Sequence, residues 1–226
     1  MKRFWKEVSV ENGQVALDGK PVRTPDRAPL ALPTPALAEA VAEEWRAVGD
    51  TIDPRAMKLT GLANAAIDKI SADPAPFAQG LAAYGESDLL YYRAEDPEPL
   101  VLRQAEAWDP LLDWARSRYD VHFETATGVI HKAQPEATIS RLAEAVHALD
   151  PFRIAGLSPV VTISGSLVGA LALLEGAIPA ETLWQAAHVD ELWQAEQWGE
   201  DELALAAREN RRTDFLAGVR FLGLLN

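Results

Sequence analysis

RFWKEVSVENGQVALDGKPVR, Arg3 to Arg23, decides how the first third of the chain folds. Three short runs, Arg3 to Val10, Gln14 to Leu17 and Pro21 to Arg23, are separated by Glu11-Asn12-Gly13 and Asp18-Gly19-Lys20. Asn-Gly and Asp-Gly supply the positive φ that a two-residue hairpin turn requires, so the run reads as two successive hairpins. Ala31 to Pro33 offers another short strand before Thr34-Pro35 opens a helix, with threonine as N-cap and proline at the first helical position. That helix, Ala36 to Val48, gathers Leu37, Val41, Glu44, Trp45 and Val48 on one side and stops at Gly49-Asp50. The spacing predicts that it packs on the sheet, with Trp45 as a core anchor.

Helical periodicity then takes over. Met57 to Ile70 carries Leu59, Leu62, Ala63, Ala66, Ile67 and Ile70 at helical spacing, and Asp73-Pro74 restarts a short helix. Ser87 to Arg93 reads as a strand in which Asp88 and Arg93 pair and the tyrosines pack between domains. Ala94 to Pro99, AEDPEP, reads as a linker because acid and proline together discourage packing. Beyond it come helices over Leu100 to Tyr119, Glu136 to Leu149, two within Phe152 to Leu174, one from Pro179 to Glu196 and one from Asp201 to Leu222. Pro110 is expected to kink the first or to start a new segment N-capped by Asp109. The expected class is α+β: an N-terminal β-rich α+β domain over residues 1–94, followed by a C-terminal all-α helical bundle over 95–226.

The 226 residues are 48% hydrophobic, enough for a sizeable core. Thirty-four acidic against 21 basic residues give a formal charge of -13, which repels phosphate backbones and anionic headgroups and favours a basic or amphipathic partner over nucleic acid. No cysteine is present, so disulfides, thiolate metal sites and thiol nucleophiles are excluded, and a reducing compartment fits. MKRFWKEVSVENG lacks the apolar core of a secretory signal and the acid-free run of a transit peptide. Ile154 to Leu174 contains 21 residues without a charge and a GxxxG at Gly165 and Gly169. Pro159 and four interspersed hydroxyl groups argue for a short helix, a break and a buried helix from about Ser166, rather than membrane insertion.

The chain has no phosphate loop, dinucleotide fingerprint, zincin motif or nucleophile elbow, so no cofactor is implied. Its most unusual segment is Asp190 to Glu202, DELWQAEQWGEDE, in which six carboxylates and two tryptophans share thirteen positions without a lysine or arginine. As one helix it aligns Trp184, His188, Glu191, Trp198 and Glu202, with Gln194 at the edge of the stripe. Such a stripe fits a solvated amphipathic helix, or a docking face with aromatic anchors and acidic specificity groups. His188, Glu191 and Glu202 also form an incomplete ligand set for an oxygen-preferring metal, the basis of an alternative reading as a metal-dependent or carboxylate-based hydrolase. The other histidines, His122, His131 and His147, fall in loops or on polar helix faces.

Taken in order, the blocks KRFWKEVSV, LDGKPVRTP, LPTPALAEAVAEEW, MKLTGLANAAID, ESDLLYYR, WDPLLDWARSRYDV and ELWQAEQWG resemble the Atp12 family of F1-ATPase assembly chaperones over nearly the whole chain. The resemblance implies a non-enzymatic chaperone that holds the free α subunit of F1-ATPase until β displaces it. It also implies an α+β domain joined to a helical bundle. Mitochondrial relatives carry a presequence, and this chain begins at the first block, so the expectation is a bacterial, cytoplasmic member, monomeric when free. The terminal block implies partner-binding roles for Glu191, Gln194, Trp198 and Glu202, with Glu191 foremost. Two departures stand out: Trp193 replaces the family's usual tyrosine, and ALAAREN follows where relatives often carry a histidine-acid pair.

Overall fold

The structure, a computed structural model, describes residues 2–128 and 131–226. Strands β1 (Val8–Glu11), β2 (Gln14–Leu17) and β3 (Lys20–Pro21) precede α1 (Pro35–Ala47), α2 (Lys58–Ala65) and α3 (Ala75–Ala82). Then come β4 (Tyr92–Arg93), α4 (Glu98–Tyr119), β5 (Ala126–Thr127), α5 (Glu136–His147), α6 (Pro151–Ser164) and α7 (Leu167–Leu174). Helices α8 (Ala180–Ala187), α9 (Val189–Trp198) and α10 (Glu202–Gly223) complete the chain. This is the α+β class expected, strands first and helices after. Contacts divide it into two units: residues up to Pro74 with Asp150–Leu157 and Leu216–Asn226, and Ala75–Leu149 with Ser158–Phe215. The contact boundary falls at Pro74 rather than after Ala94, because residues 75–94 are tied to later helices: α3 packs on α5, and the Leu89 amide donates to the Gly165 carbonyl at 3.0 Å.

In the first unit both turns form as the Gly pairs dictate, with Asn12 and Gly13 at φ 51° and 76° and Asp18 and Gly19 at 48° and 75°. The register sets Val10 opposite Val15 and Ala16 opposite Pro21. The first strand is shorter than expected. Residues 3–7 leave the ladder because the Arg3 amide donates to the Asp50 carbonyl at 2.9 Å and the Asp18 carboxylate accepts the Lys6 and Glu7 amides at 3.0 and 2.9 Å. Ala31 makes only an isolated bridge, to Gln14, and Arg23 one to Pro29. Val15, Val22, Leu30, Leu37 and Val41 form the core.

Thr34 caps α1 by accepting the Leu37 amide at 3.1 Å and donates its hydroxyl to the Leu224 carbonyl at 2.5 Å. Glu44, on the inward side of α1, accepts the Leu59 and Thr60 amides and the Thr60 hydroxyl at 2.7–2.8 Å. A side chain from one helix thus satisfies the free amides at the start of another. The single helix expected over Met57 to Ile70 becomes α2 followed by a π-helical turn, Ala66–Ile70. Trp45 is half-buried and meets buried Trp5 edge-on at 5.3 Å. Phe152 stacks on Phe221 at 6.4 Å, and a Cβ on Gly156 would lie 2.9 Å from the Phe221 and Leu222 side chains, so Gly156 permits that approach.

In the second unit, Leu89–Tyr91 is a 3-10 turn rather than part of a strand, and only Tyr92–Arg93 pairs, in parallel with β5. Asp88 does not meet Arg93. It is fully buried and accepts the Leu90 amide at 3.1 Å and the Val168 amide, in the first turn of α7, at 2.9 Å. Burial pushes its carboxyl up to about 6, against the opposing pull of these amides. Arg93 instead pairs with Asp109 at 2.8 Å, so Asp109 caps nothing and α4 runs unbroken through Pro110. Tyr91 packs inside this unit against Phe123, at 5.4 Å. Of AEDPEP, Glu98 and Pro99 belong to the first turn of α4, where proline is tolerated. α6 likewise continues through Pro159, and the break comes at Gly165, φ 67°, with Ser166 capping α7 through the Gly169 amide at 2.9 Å. Gly169 leaves room for Leu183. Among the described residues no helix is long and apolar enough to cross a membrane.

Candidate functional site

The acidic, tryptophan-bearing segment does not form one helix. α8 ends at Ala187, His188 sits between helices with φ -117° and ψ 17°, α9 ends at Gly199 with φ 86°, and α10 begins at Glu202. The stripe expected from Trp184 to Glu202 is therefore divided among three helices. Trp184 and His188 stay together as core: their rings stack at 3.8 Å, His188 Nδ1 lies 2.8 Å from the Trp184 carbonyl, and Phe215 closes on Trp184 at 5.5 Å. Burial holds the imidazole below its ordinary pKa, so it stays neutral at pH 7.

Four of the six carboxylates of the segment find side-chain partners inside the same unit. Glu191 receives Arg211 Nη2 on both oxygens, at 2.7 and 3.0 Å, with Arg208 3.6 Å away. Arg208 also pairs with Glu200. On α4, Arg103 bonds Glu196 at 2.8 Å while lying 4.9 Å over the Trp193 ring, and Gln104 donates to Asp190 at 2.7 Å. These partners come from α4 and α10, outside the segment, as its lack of lysine and arginine requires. The hydrolase reading gains nothing from them: His188 is turned to a carbonyl, Glu191 to an arginine, and among the described residues no group of three or more His, Asp or Glu side chains could hold a metal ion.

Three of the four expected residues do converge. Glu191, Gln194 and Trp198 line one open hollow of about 250 Å³, shared with Gly199, Glu200 and Arg208. Glu202 is not in its wall; it is exposed in the first turn of α10, where a carboxylate favours the helix dipole. Apolar exposure near the hollow is scattered: Trp198 stands in its wall, while Leu203 and Leu205, two residues apart on α10, point to different sides of that helix. Trp198 is 78% exposed, Leu203 79% and Leu205 41%. α9 has no fully buried residue, so it is held mainly by ion pairs and by its contact with α4.

Sequence reasoning missed Arg208, Arg211, Leu203 and Leu205. The signals were present: an arginine cluster at Arg208, Arg211 and Arg212 follows the acidic run, and ELALAA places leucine and alanine on every face of a helix start. Only the reversal of direction at Gly199 shows that the two charge runs meet.

A helical unit that exposes a large tryptophan in the wall of an open hollow rimmed by paired charges has features of a protein-binding module. The sequence profile of the ATP12 chaperone protein matches residues 2–116, and the chain belongs to this chaperone family. It is similar to the crystal structure of Atp12 from Paracoccus denitrificans, with 44% identity, a TM-score of 0.94, and coverage of 100% of this chain and 98% of that one. An aspartate-to-lysine variant of the Paracoccus protein matches with a TM-score of 0.93, 44% identity and the same coverage. The Agrobacterium tumefaciens protein Atu1473 matches with 42% identity and a TM-score of 0.94, over 100% of this chain and 86% of that one.

Proposed function

We propose that this chain is a bacterial, cytoplasmic, non-enzymatic assembly chaperone that binds the free α subunit of F1-ATPase and shields its assembly surface until β displaces it. The observation that carries the reading is Trp198, 78% exposed in the wall of the hollow, beside carboxylates that already hold arginines. An unassembled subunit exposes apolar surface that its neighbour will cover, which is an aggregation hazard. Large exposed apolar side chains here are positioned to cover such a surface, while Gln194 and Glu202 offer polar contacts at its edge. Glu191 acts by exchange: its half-exposed carboxylate can turn from Arg211 to a client cation or keep Arg211 aimed at a client acid. Competition by β for the same surface needs no nucleotide. The test is mixing of purified chain with isolated α subunit and with assembled hexamer, followed by sizing. A one-to-one complex with free α alone is expected; no complex at micromolar concentration overturns the reading.

A further inference from the structure

The buried side of α4 consists of Gln104, Trp108, Leu111, Leu112 and Ala115, and Gln104, 2% exposed, is its one polar member. A buried amide costs free energy unless its ends are bonded, so an apolar side chain would serve packing alone better. Both ends are bonded here. Oε1 accepts the Ala94 amide at 2.7 Å, and Nε2 donates to the Asp190 carboxylate at 2.7 Å. The two partners demand one acceptor and one donor, which an ionised glutamate, a methionine or a leucine cannot supply together.

These bonds join two walls of one hollow. Ala94 and Pro97, before and at the start of α4, and Asp190, Gln194 and Trp198, on α9, line a space of about 390 Å³, with Gln104 bonded to both groups. Trp198 stands in the wall of this hollow and of the one it shares with Glu191. One turn further along α4, the Trp108 indole N–H donates to the Ala186 carbonyl at 2.7 Å. α4 therefore holds the chain on both sides of His188: Trp108 fixes the end of α8 and Gln104 the start of α9. The ion pairs that also hold α9, Arg103 with Glu196 and Arg211 with Glu191, are part-exposed, and water weakens them.

We infer that Gln104 is the positioning residue of the client site: it touches no client and acts by fixing where α9 starts on α4, and so where Gln194 and Trp198 are presented. The inference rests on the client reading proposed above. A fully satisfied buried polar link specifies one arrangement, where apolar contact alone lets a helix slide. Trp198 lies eight residues beyond Asp190, about 12 Å along the helix, so a tilt of about 10° at the Gln104 bond carries the ring by about 2 Å. Holding the anchor in place before the client arrives lowers the ordering cost of association.

The test uses two readouts, amide hydrogen exchange of the free chain and titration against isolated F1 α subunit. Gln104→Met keeps the length of the side chain and removes both bonds. Gln104→Glu combined with Asp190→Asn restores both, with donor and acceptor exchanged and net charge unchanged. Expected for Gln104→Met are exchange about tenfold faster across residues 189–198 with α5 unchanged, and affinity about tenfold lower; the exchanged pair should return both to within about threefold of wild type. Thermal melts accompany each variant, and if Gln104→Met does not fold, Asp190→Ala, which leaves the Ala94 bond intact, decides in its place. Unchanged exchange across 189–198, or an equal rise across α5, overturns the positioning role. Faster exchange with unchanged affinity overturns its link to the client, and an exchanged pair that recovers nothing would mean that Gln104 acts by packing alone, against the inference. No binding by the wild-type chain overturns the client reading itself, and this role with it, whatever the exchange shows.

Discussion

Trp184 and Trp198 stand on the same predicted helical stripe, yet the first is 4% exposed and the second 78%. The difference is made at His188. There the chain leaves α8, the imidazole lies against Trp184, and α9 beyond it is held by arginines and by α4 rather than by buried apolar side chains of its own. Residue type alone does not separate a core tryptophan from an exposed one. The neighbours do: Phe215 and His188 close around Trp184, and nothing comparable covers Trp198.

The largest effect that would sharpen this contrast is expected from Trp184→Ala, which should cost about 3–5 kcal/mol of stability in a urea melt, as large-to-small changes in cores do. A loss below about 1 kcal/mol would mean that α8 is not part of the cooperative core. A second buried group gives a pH signature. Burial raises the folded pKa of Asp88 to about 6 from its ordinary 3.8, so its protonated form stabilises the fold. That contribution is complete below 3.8, declines as pH rises through about 6, and amounts to at most about 3 kcal/mol at 1.36 kcal/mol per unit. His188 has the opposite sign: its lowered pKa gives stability present above 6.5 that is lost as pH falls. Melts of wild type and Asp88→Asn between pH 4 and 7 should therefore diverge in slope, and parallel curves would refute the assignment to Asp88. Glu44→Ala, which strips three bonds from the start of α2, should cost about 1–2 kcal/mol, comparable with loss of a helix cap.

Effects on the other side of the comparison are smaller in stability and larger in binding. Glu191→Lys would set an ammonium beside Arg211 and Arg208, and a loss of about 1 kcal/mol is expected, since half-exposed pairs contribute little. Trp198→Ala should stay within about 0.5 kcal/mol of wild type in a melt while weakening capture of the isolated α subunit. Unchanged capture would leave Trp198 without a role in binding.

Turns and caps were legible because their chemistry is local: Asn12-Gly13 and Asp18-Gly19 can make few other turns, and Thr34-Pro35 starts α1 where expected. Prolines misled. Pro110 read as a kink or a new start and Pro159 as part of a break, but each removes only one amide, and both helices continue past them among the buried side chains Trp108, Leu111, Leu157 and Val160. The segment after Ser87 was misread because a short apolar run carries no period, and its form is fixed by Asp88 reaching α7 far along the chain. At the candidate site the residue types were visible and their pairing was not. Arg208 and Arg211 meet Glu191 and Glu200 only after Gly199 has turned the chain.

The first unit is completed by the last eleven residues, Leu216 to Asn226, through the Leu224 carbonyl on Thr34 and Phe221 on Phe152. During synthesis the hairpins and α1 therefore emerge well before residues 216–226, so the sheet made first waits for contacts separated from it by most of the sequence, and folding of this unit is set by that long separation.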